Sequence, residues 1–344
     1  MNRIHRRESA KKLPFTILTG LFFSIVSSFA QEVEKIGNDV SSQPSPPKSN
    51  GTNQPASLPV SIATGVSEQF KSDIDNVRGG LSGSFSVARY KIGIGLPIRL
   101  ADDFQLGTTL RYGYDDYDFN RQGVNPRPWS EVNTLSATSI LYWRLNETWS
   151  VYGGGFLKMS AESDVALNEG TTGGGLAGFD YKMRDDLSFG LGIAAASRIK
   201  DDGAAMPLVT VKWKIADHWL FNAGLTDIAA FGYGAEIKWL CTEKVDFGLG
   251  AQVHQSRFRV KGHAAYVGSG SILNRSTVNG VGQESGSIIY LDGTWHACSK
   301  FDLNAFTGFT AGGQLREDDS NGNKISEADY STAAVIGLRA ILHF

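Results

Sequence analysis

"VIGLRAILHF", Val335–Phe344, carries an apolar residue at every second position: Ile336, Leu338, Ala340, Leu342 and Phe344. Side chains of an extended strand alternate between two faces, so these five share one face while Gly337, Arg339 and His343 take the other. Terminal residues of water-soluble domains are seldom so apolar. The meaning of this tail depends on whether the rest of the chain follows the same period.

It does. In "FQLGTTLRYGYDDYDF" (104–119), Phe104, Leu106, Leu110, Tyr112 and Tyr114 oppose Gln105, Thr109, Arg111 and Asp115. "PLVTVKWKI" (207–215) sets Val209, Val211, Trp213 and Ile215 against Thr210, Lys212 and Lys214, and "FGYGAEIKW" (231–239) sets Ile237 and Trp239 against Glu236 and Lys238. Short polar turns at 101–103, 146–148, 184–186, 216–218, 242–244 and 299–300 alternate with longer polar connections, notably 118–130, 161–171, 259–284 and 316–328. That rhythm is the outline of a transmembrane β-barrel, with tight turns on one side and loops on the other. Tryptophan placement separates it from a soluble sandwich. Trp143, Trp149, Trp213, Trp219, Trp239 and Trp295 all lie beside short turns on the apolar face, as an interfacial aromatic girdle does, and Trp129 sits in a long connection.

The N-terminal region points to export. Arg3, Arg6, Arg7, Lys11 and Lys12 precede "LPFTILTGLFFSIVSSFA", and Ser28-Phe29-Ala30 forms a small-x-small cleavage site, so residues 1–30 are expected to be a signal peptide. Residues 31–57, rich in Pro, Ser, Asn and Gln, are expected to be a disordered periplasmic linker, and 58–344 the barrel. Removing those five basic residues and Glu8 takes the formal net charge from −2 to −6. An acidic mature chain has no basic footprint for nucleic acid.

Strands are expected near 90–100, 104–117, 131–145, 148–160, 171–184, 187–198, 205–215, 218–227, 230–240, 245–259, 284–298, 301–315 and 329–344. Bacterial single-chain barrels have even counts. The stretch 77–88 completes an even number, since its apolar phase (Leu81, Phe85, Val87) is odd whereas that of Ile92, Ile94, Leu96 and Ile98 is even, a change expected to mark a turn or a bulge. The expected fold is therefore all-β, an antiparallel barrel of 14 strands beginning near residue 77, with 12 as the alternative.

The run from "YDDYDF" through "LSATSILYWRLNETWSVYGGG", "GGGLAGFDYKMRDDLSFGLGIA" and "PLVTVKWKIADHWLFNAGL" resembles a family of bacterial outer-membrane β-barrels known mainly as a domain of unknown function. The resemblance implies an outer-membrane location, lipid as a neighbour, and no cofactor. It also implies that Leu338, Ala340, Leu342 and Phe344 form the tail that the barrel assembly machinery reads.

Candidate chemistry is sparse. His254-Gln255-Ser256 has the spacing of an outer-membrane esterase dyad, but Arg257-Phe258 follows and the strand phase turns His254 inward, away from lipid. "DDSNGNKISEAD" (318–329) lacks the turn glycine of a calcium loop, and no metal site is expected. Cys241 and Cys298 allow one disulfide in an oxidising compartment, although intervening strand spacing strains it. Arg111, Lys158, Asp180, Lys182, Lys212, Lys214, Glu236, Lys238, Asp246, Asp292 and Asp302 fall on the inward phase and are lumen-lining candidates. The expected function is a small diffusion channel or substrate transporter of unidentified solute rather than an enzyme. A non-conducting structural or surface-interaction barrel is the alternative, and a lipid hydrolase the minor one.

Replacing Phe344 with serine is expected to lower the amount of assembled barrel in membranes several-fold, read as the heat-modifiable band on a gel. Undiminished levels would remove the assembly role from this residue.

Overall fold

The computed structural model describes residues 60–78, 83–120, 127–226, 232–262, 266–268, 271–273 and 277–344; the expected signal peptide and linker lie outside them. The wall begins with β1 (Ser61–Arg78), β2 (Gly83–Ala101), β3 (Phe104–Asn120), β4 (Glu131–Arg144), β5 (Trp149–Glu162), β6 (Thr171–Arg184) and β7 (Leu187–Arg198). It continues through β8 (Asp201–Ala216), β9 (Trp219–Thr226), β10 (Gly232–Thr242) and β11 (Val245–Arg259). A small hairpin, β12 (Tyr266–Gly268) and β13 (Ser271–Leu273), precedes β14 (Val281–Cys298), β15 (Phe301–Asp318), β16 (Lys324–Tyr330) and β17 (Ala334–His343). Each wall strand pairs antiparallel with its chain neighbours, and β16 and β17 occupy successive parts of one position between β15 and β1. The sheet thus closes on itself as a 14-strand barrel.

Closure runs along β1 and β17 in unbroken register from Ser61↔His343 to Gln69↔Val335, and the Phe344 N–H reaches the Val60 carbonyl at 2.8 Å. Ile336, Leu338, Leu342 and Phe344 are exposed on the outside, where they join Ile92 and Ile94 of β2, Leu110 of β3, Ile193 of β7, Leu249 of β11 and Leu291 of β14. Such a continuous apolar belt is untenable in water and suits the hydrocarbon of a bilayer. The six girdle tryptophans are exposed at its turn end, with Trp219 stacked on Trp239 and Phe104 on Trp143.

Two expectations about the chain's early strands are corrected. The first strand begins ahead of residue 77, at 61–78, and of the segment expected as 77–88 the first two residues end β1 while 83–88 join the segment expected as 90–100 in the single strand β2. The apolar phase changes at 85–92 because Phe85 and Val87 point inward into a packed interior while Ile92 and Ile94 point outward to lipid. Neither a turn nor a bulge is needed there. Bulges occur instead in β1, between Gln69 and Ser72, and in the β14–β15 pairing, between Ser285 and Ser287, where Gly312 has φ +62°. Together with the break at 331–333, they re-aim the loop-end halves of three adjacent strand positions.

The loop-end half is filled. Trp129 is fully buried, edge-on to Tyr117, Phe119 and Phe258 with ring centroids 5.8, 5.5 and 5.2 Å away, so the tryptophan of the long connection belongs to the core. Several interior aromatics lie flat on glycines of neighbouring strands, Tyr330 on Gly313 and Phe306 on Gly337 among them. A Cβ on Gly313 would collide with the buried Tyr330 ring, which Phe85 holds edge-on at 5.0 Å. Gly313→Ala should therefore destabilise the folded barrel by about 1–3 kcal/mol in detergent unfolding, and the Tyr330→Leu background should relieve most of that cost.

Candidate functional site

The described wall strands enclose an interior, and its charged residues come from strands that are not neighbours in the wall. In the loop-end half, Arg89 of β2 reaches Glu284 of β14, its Nη2 donating to Oε1 at 2.7 Å and Oε2 at 2.8 Å. The Tyr117 hydroxyl donates to Glu284 Oε2 at 2.6 Å, and His254 Nε2 lies 3.3 Å from Oε1. Glu284 is fully buried and Arg89 nearly so. A buried carboxylate with this many donors is compensated, and loss of one partner leaves the other charge stranded. Beside this knot lies a cavity of about 30 Å³, lined by Lys91, Asp115, Ser256 and Val335 among others, with room for little more than a water or two. A wider depression, about 390 Å³, is largely on the lipid face of the wall, among Val66, Tyr90, Ile92, Tyr112 and Leu338.

The loop-end part of the β11–β14 hairpin crosses the lumen. Below Val253, β11 alternates between buried and exposed residues; from His254 onward every residue is buried, as are Val281–Gly286 of β14. The cause is contact with the far wall. Arg259 pairs in parallel with Ala161 of β5, although β6 to β10 separate those strands around the barrel. Arg257 donates from Nε and Nη2 to the Ile199 carbonyl at 3.2 and 3.0 Å and meets Asp318 at 2.9 Å. Arg259 lies 3.7 Å from Glu169, and the Lys261 N–H donates to Glu162 at 2.9 Å. Beside this crossing the β8–β9 pairing runs only from Ala216 to Val211. The Tyr233 hydroxyl takes over at the next step, donating to the Val209 carbonyl at 2.5 Å and accepting from its N–H at 3.1 Å.

The turn-end half is polar. Lys182, Lys212 and Lys214 on β6 and β8 are exposed; Lys182 also meets Asp185 at 2.6 Å and Lys214 meets Asp217 at 3.1 Å, aspartates of the adjoining turns. The Lys214 ammonium holds the Asp217 carboxyl below its ordinary value. Asp180 accepts from Thr210 at 3.0 Å, Lys158 is buried beside Thr172, and Arg111 packs its stem over Gly93. On the adjoining arc Glu236, Asp246 and Asp292 are buried, with Lys238 Nζ at 3.7 Å from Glu236 and 3.8 Å from Asp246, and Asn304 donating to Asp292 at 2.8 Å. Asp302 sits between His296 Nδ1 at 2.8 Å and His343 Nε2 at 3.1 Å.

Other sequence candidates resolve as follows. Cys241 and Cys298 are free and exposed, because β11 runs between their strands and two inter-strand steps, roughly 10 Å, exceed disulfide reach. His254 and Ser256 share the inward face and are buried, with the imidazole directed at Glu284. Asp319 Oδ1 accepts the N–H groups of Asn321 and Asn323 at 2.8 and 2.9 Å, so the acidic loop closes on itself. The central knot and the arginine pins were not singled out from sequence, since Glu284 falls at the edge of an expected loop.

No protein-family profile matches the chain, and no curated protein does. Among solved structures it is similar to the COG4313 outer membrane channel from Pseudomonas putida F1, at 10% identity over 86% of this chain and 100% of that one, TM-score 0.46. It is also similar to a Pseudomonas aeruginosa FadL homologue (12%, 83% and 90%, TM-score 0.46) and to the P. putida toluene transporter TodX (9%, 91% and 94%, TM-score 0.44). Likeness at this level assigns no activity.

Glu284→Ala should cost about 3–5 kcal/mol of stability by leaving Arg89 buried without its partner, whereas Arg89→Met combined with Glu284→Leu should recover most of it. Unfolding of the detergent-solubilised barrel, followed by heat-modifiable mobility, measures both.

Proposed function

We propose that this barrel is an outer-membrane channel for small solutes that is closed in the state described and opens when the β11–β14 hairpin leaves the lumen. The observation that carries this reading is the hairpin itself, buried on both faces and held to the far wall by arginine contacts and a single ladder pairing. A stopper needed only for stability is better built from apolar side chains, because buried ion pairs offset their desolvation poorly. Contacts of this kind suit an element with two positions. In the same proposal residues 1–30 direct export, 31–57 form a periplasmic linker, and the short turns face the periplasm.

A second reading, a non-conducting structural barrel, draws on the dense aromatic cluster around Trp129. Planar-bilayer recording separates the two. Wild-type protein should give rare or no conductance steps, and Arg257→Ala with Arg259→Ala should give frequent steps of uniform size. Silence from the double variant, verifiably folded and inserted, would favour the structural barrel.

A further inference from the structure

We infer that the wall groups holding Glu284 are a receptor site for small organic carboxylates, and that Glu284 keeps the channel shut by occupying it in their place. The inference rests on the channel reading above and names both the class of solute and the group it competes with.

The knot divides between two bodies. Arg89 and Tyr117 stand on β2 and β3, while Glu284 comes from β14, with β15, β16 and β1 between them around the wall. The principal donors thus belong to the wall and the carboxylate to the hairpin. One guanidinium nitrogen, Arg89 Nη2, chelates both carboxylate oxygens, and the Tyr117 hydroxyl adds a bond at 2.6 Å. Any small carboxylate can reproduce that charge-assisted pattern. Tyr117 is held from the wall side, its ring stacked on Phe119 at 6.1 Å and edge-on to Trp129 at 5.8 Å, so the donor stays in place when the hairpin goes. Just behind Glu284 the β14–β15 ladder is interrupted between Ser285 and Ser287, and such an irregularity re-aims the side chains beside it.

Charge points the same way. The small cavity beside the knot is bordered by two acidic residues, Asp115 and Glu284, against Arg89, Lys91 and His254. Glu284 and His254 leave with the hairpin. Asp115 stays on the wall with Arg89 and Lys91, and whichever of the two cations it offsets, the other remains as surplus positive charge. A cation beside a low-dielectric wall that has lost its carboxylate gains most from another compact anion in the same place.

Glu284→Gly vacates the place of the carboxylate and leaves the wall donors, and formate and acetate are the probes. In detergent at fixed pH and ionic strength, either should raise the unfolding midpoint of Glu284→Gly, half-maximally in the millimolar range that a few charge-assisted bonds supply, whereas chloride should not. If the variant refolds poorly in chloride, its refolded fraction in acetate is the readout. Wild type, its site filled, should not respond, and neither should Glu284→Gly combined with Arg89→Met. In the Arg257→Ala, Arg259→Ala background, Arg89→Met should lower the permeability of acetate relative to potassium at least about twofold. Absence of rescue, rescue that survives the loss of Arg89 or is equal in wild type, or an acetate permeability indifferent to Arg89 would overturn the inference. A silent bilayer would count against the channel reading instead, and the rescue, which needs no conduction, would then decide the receptor site alone.

Discussion

A chain in hydrocarbon finds no water for its peptide groups, so every N–H and C=O must find a partner within the protein. All the architecture described here follows from that demand. The register between β1 and β17 removes the two edges that an open sheet would expose to lipid, and the outward apolar belt can then face acyl chains without an unpaired polar group behind it. Where the ladder falters, substitutes appear. The Tyr233 hydroxyl serves both polar groups of Val209 beyond the last β8–β9 pair, doing with one side chain what a neighbouring strand does elsewhere.

Closure creates an inside, and the inside sets the second problem. A ring of this many strands is too wide for its wall side chains alone to meet at the axis. The molecule solves this at the loop end by bending a hairpin inward, so that the opposed walls share a partition. Glycines opposite the large aromatics let the rings lie along the wall, which gives part of the count of 40 glycines a packing role. Polar groups in the partition are then far from solvent and bind one another: Arg89 with Glu284, Arg257 with Asp318.

The parts legible in the sequence are those governed by period two against a uniform environment. From β3 onward most strands face lipid on one side and a polar lumen on the other, and their bounds could be read within a few residues. Legibility failed where the inside is apolar. Phe85 and Val87 look like a shifted outward phase because nothing local distinguishes a core-facing from a lipid-facing valine. β1, with Ser61, Thr64, Gly65 and Ser67, carries too few large apolar residues to stand out. Glu284 and Trp129 read as loop residues because their burial depends on strands distant in sequence. The lysines at the mouth were visible as inward residues, whereas the sequestration of the acidic residues depends on side-chain neighbours that no spacing rule encodes.

The inward hairpin also constrains the history of the molecule. Arg257, Arg259 and Lys261 need groups from β5, the β5–β6 connection, the β7–β8 turn and β15. β15, which supplies Asp318, follows the hairpin in the chain, so the partition cannot be completed until almost the whole polypeptide has entered the wall. The interior seal is therefore a late event of biogenesis, and the nascent barrel passes through a hollow stage before it is filled.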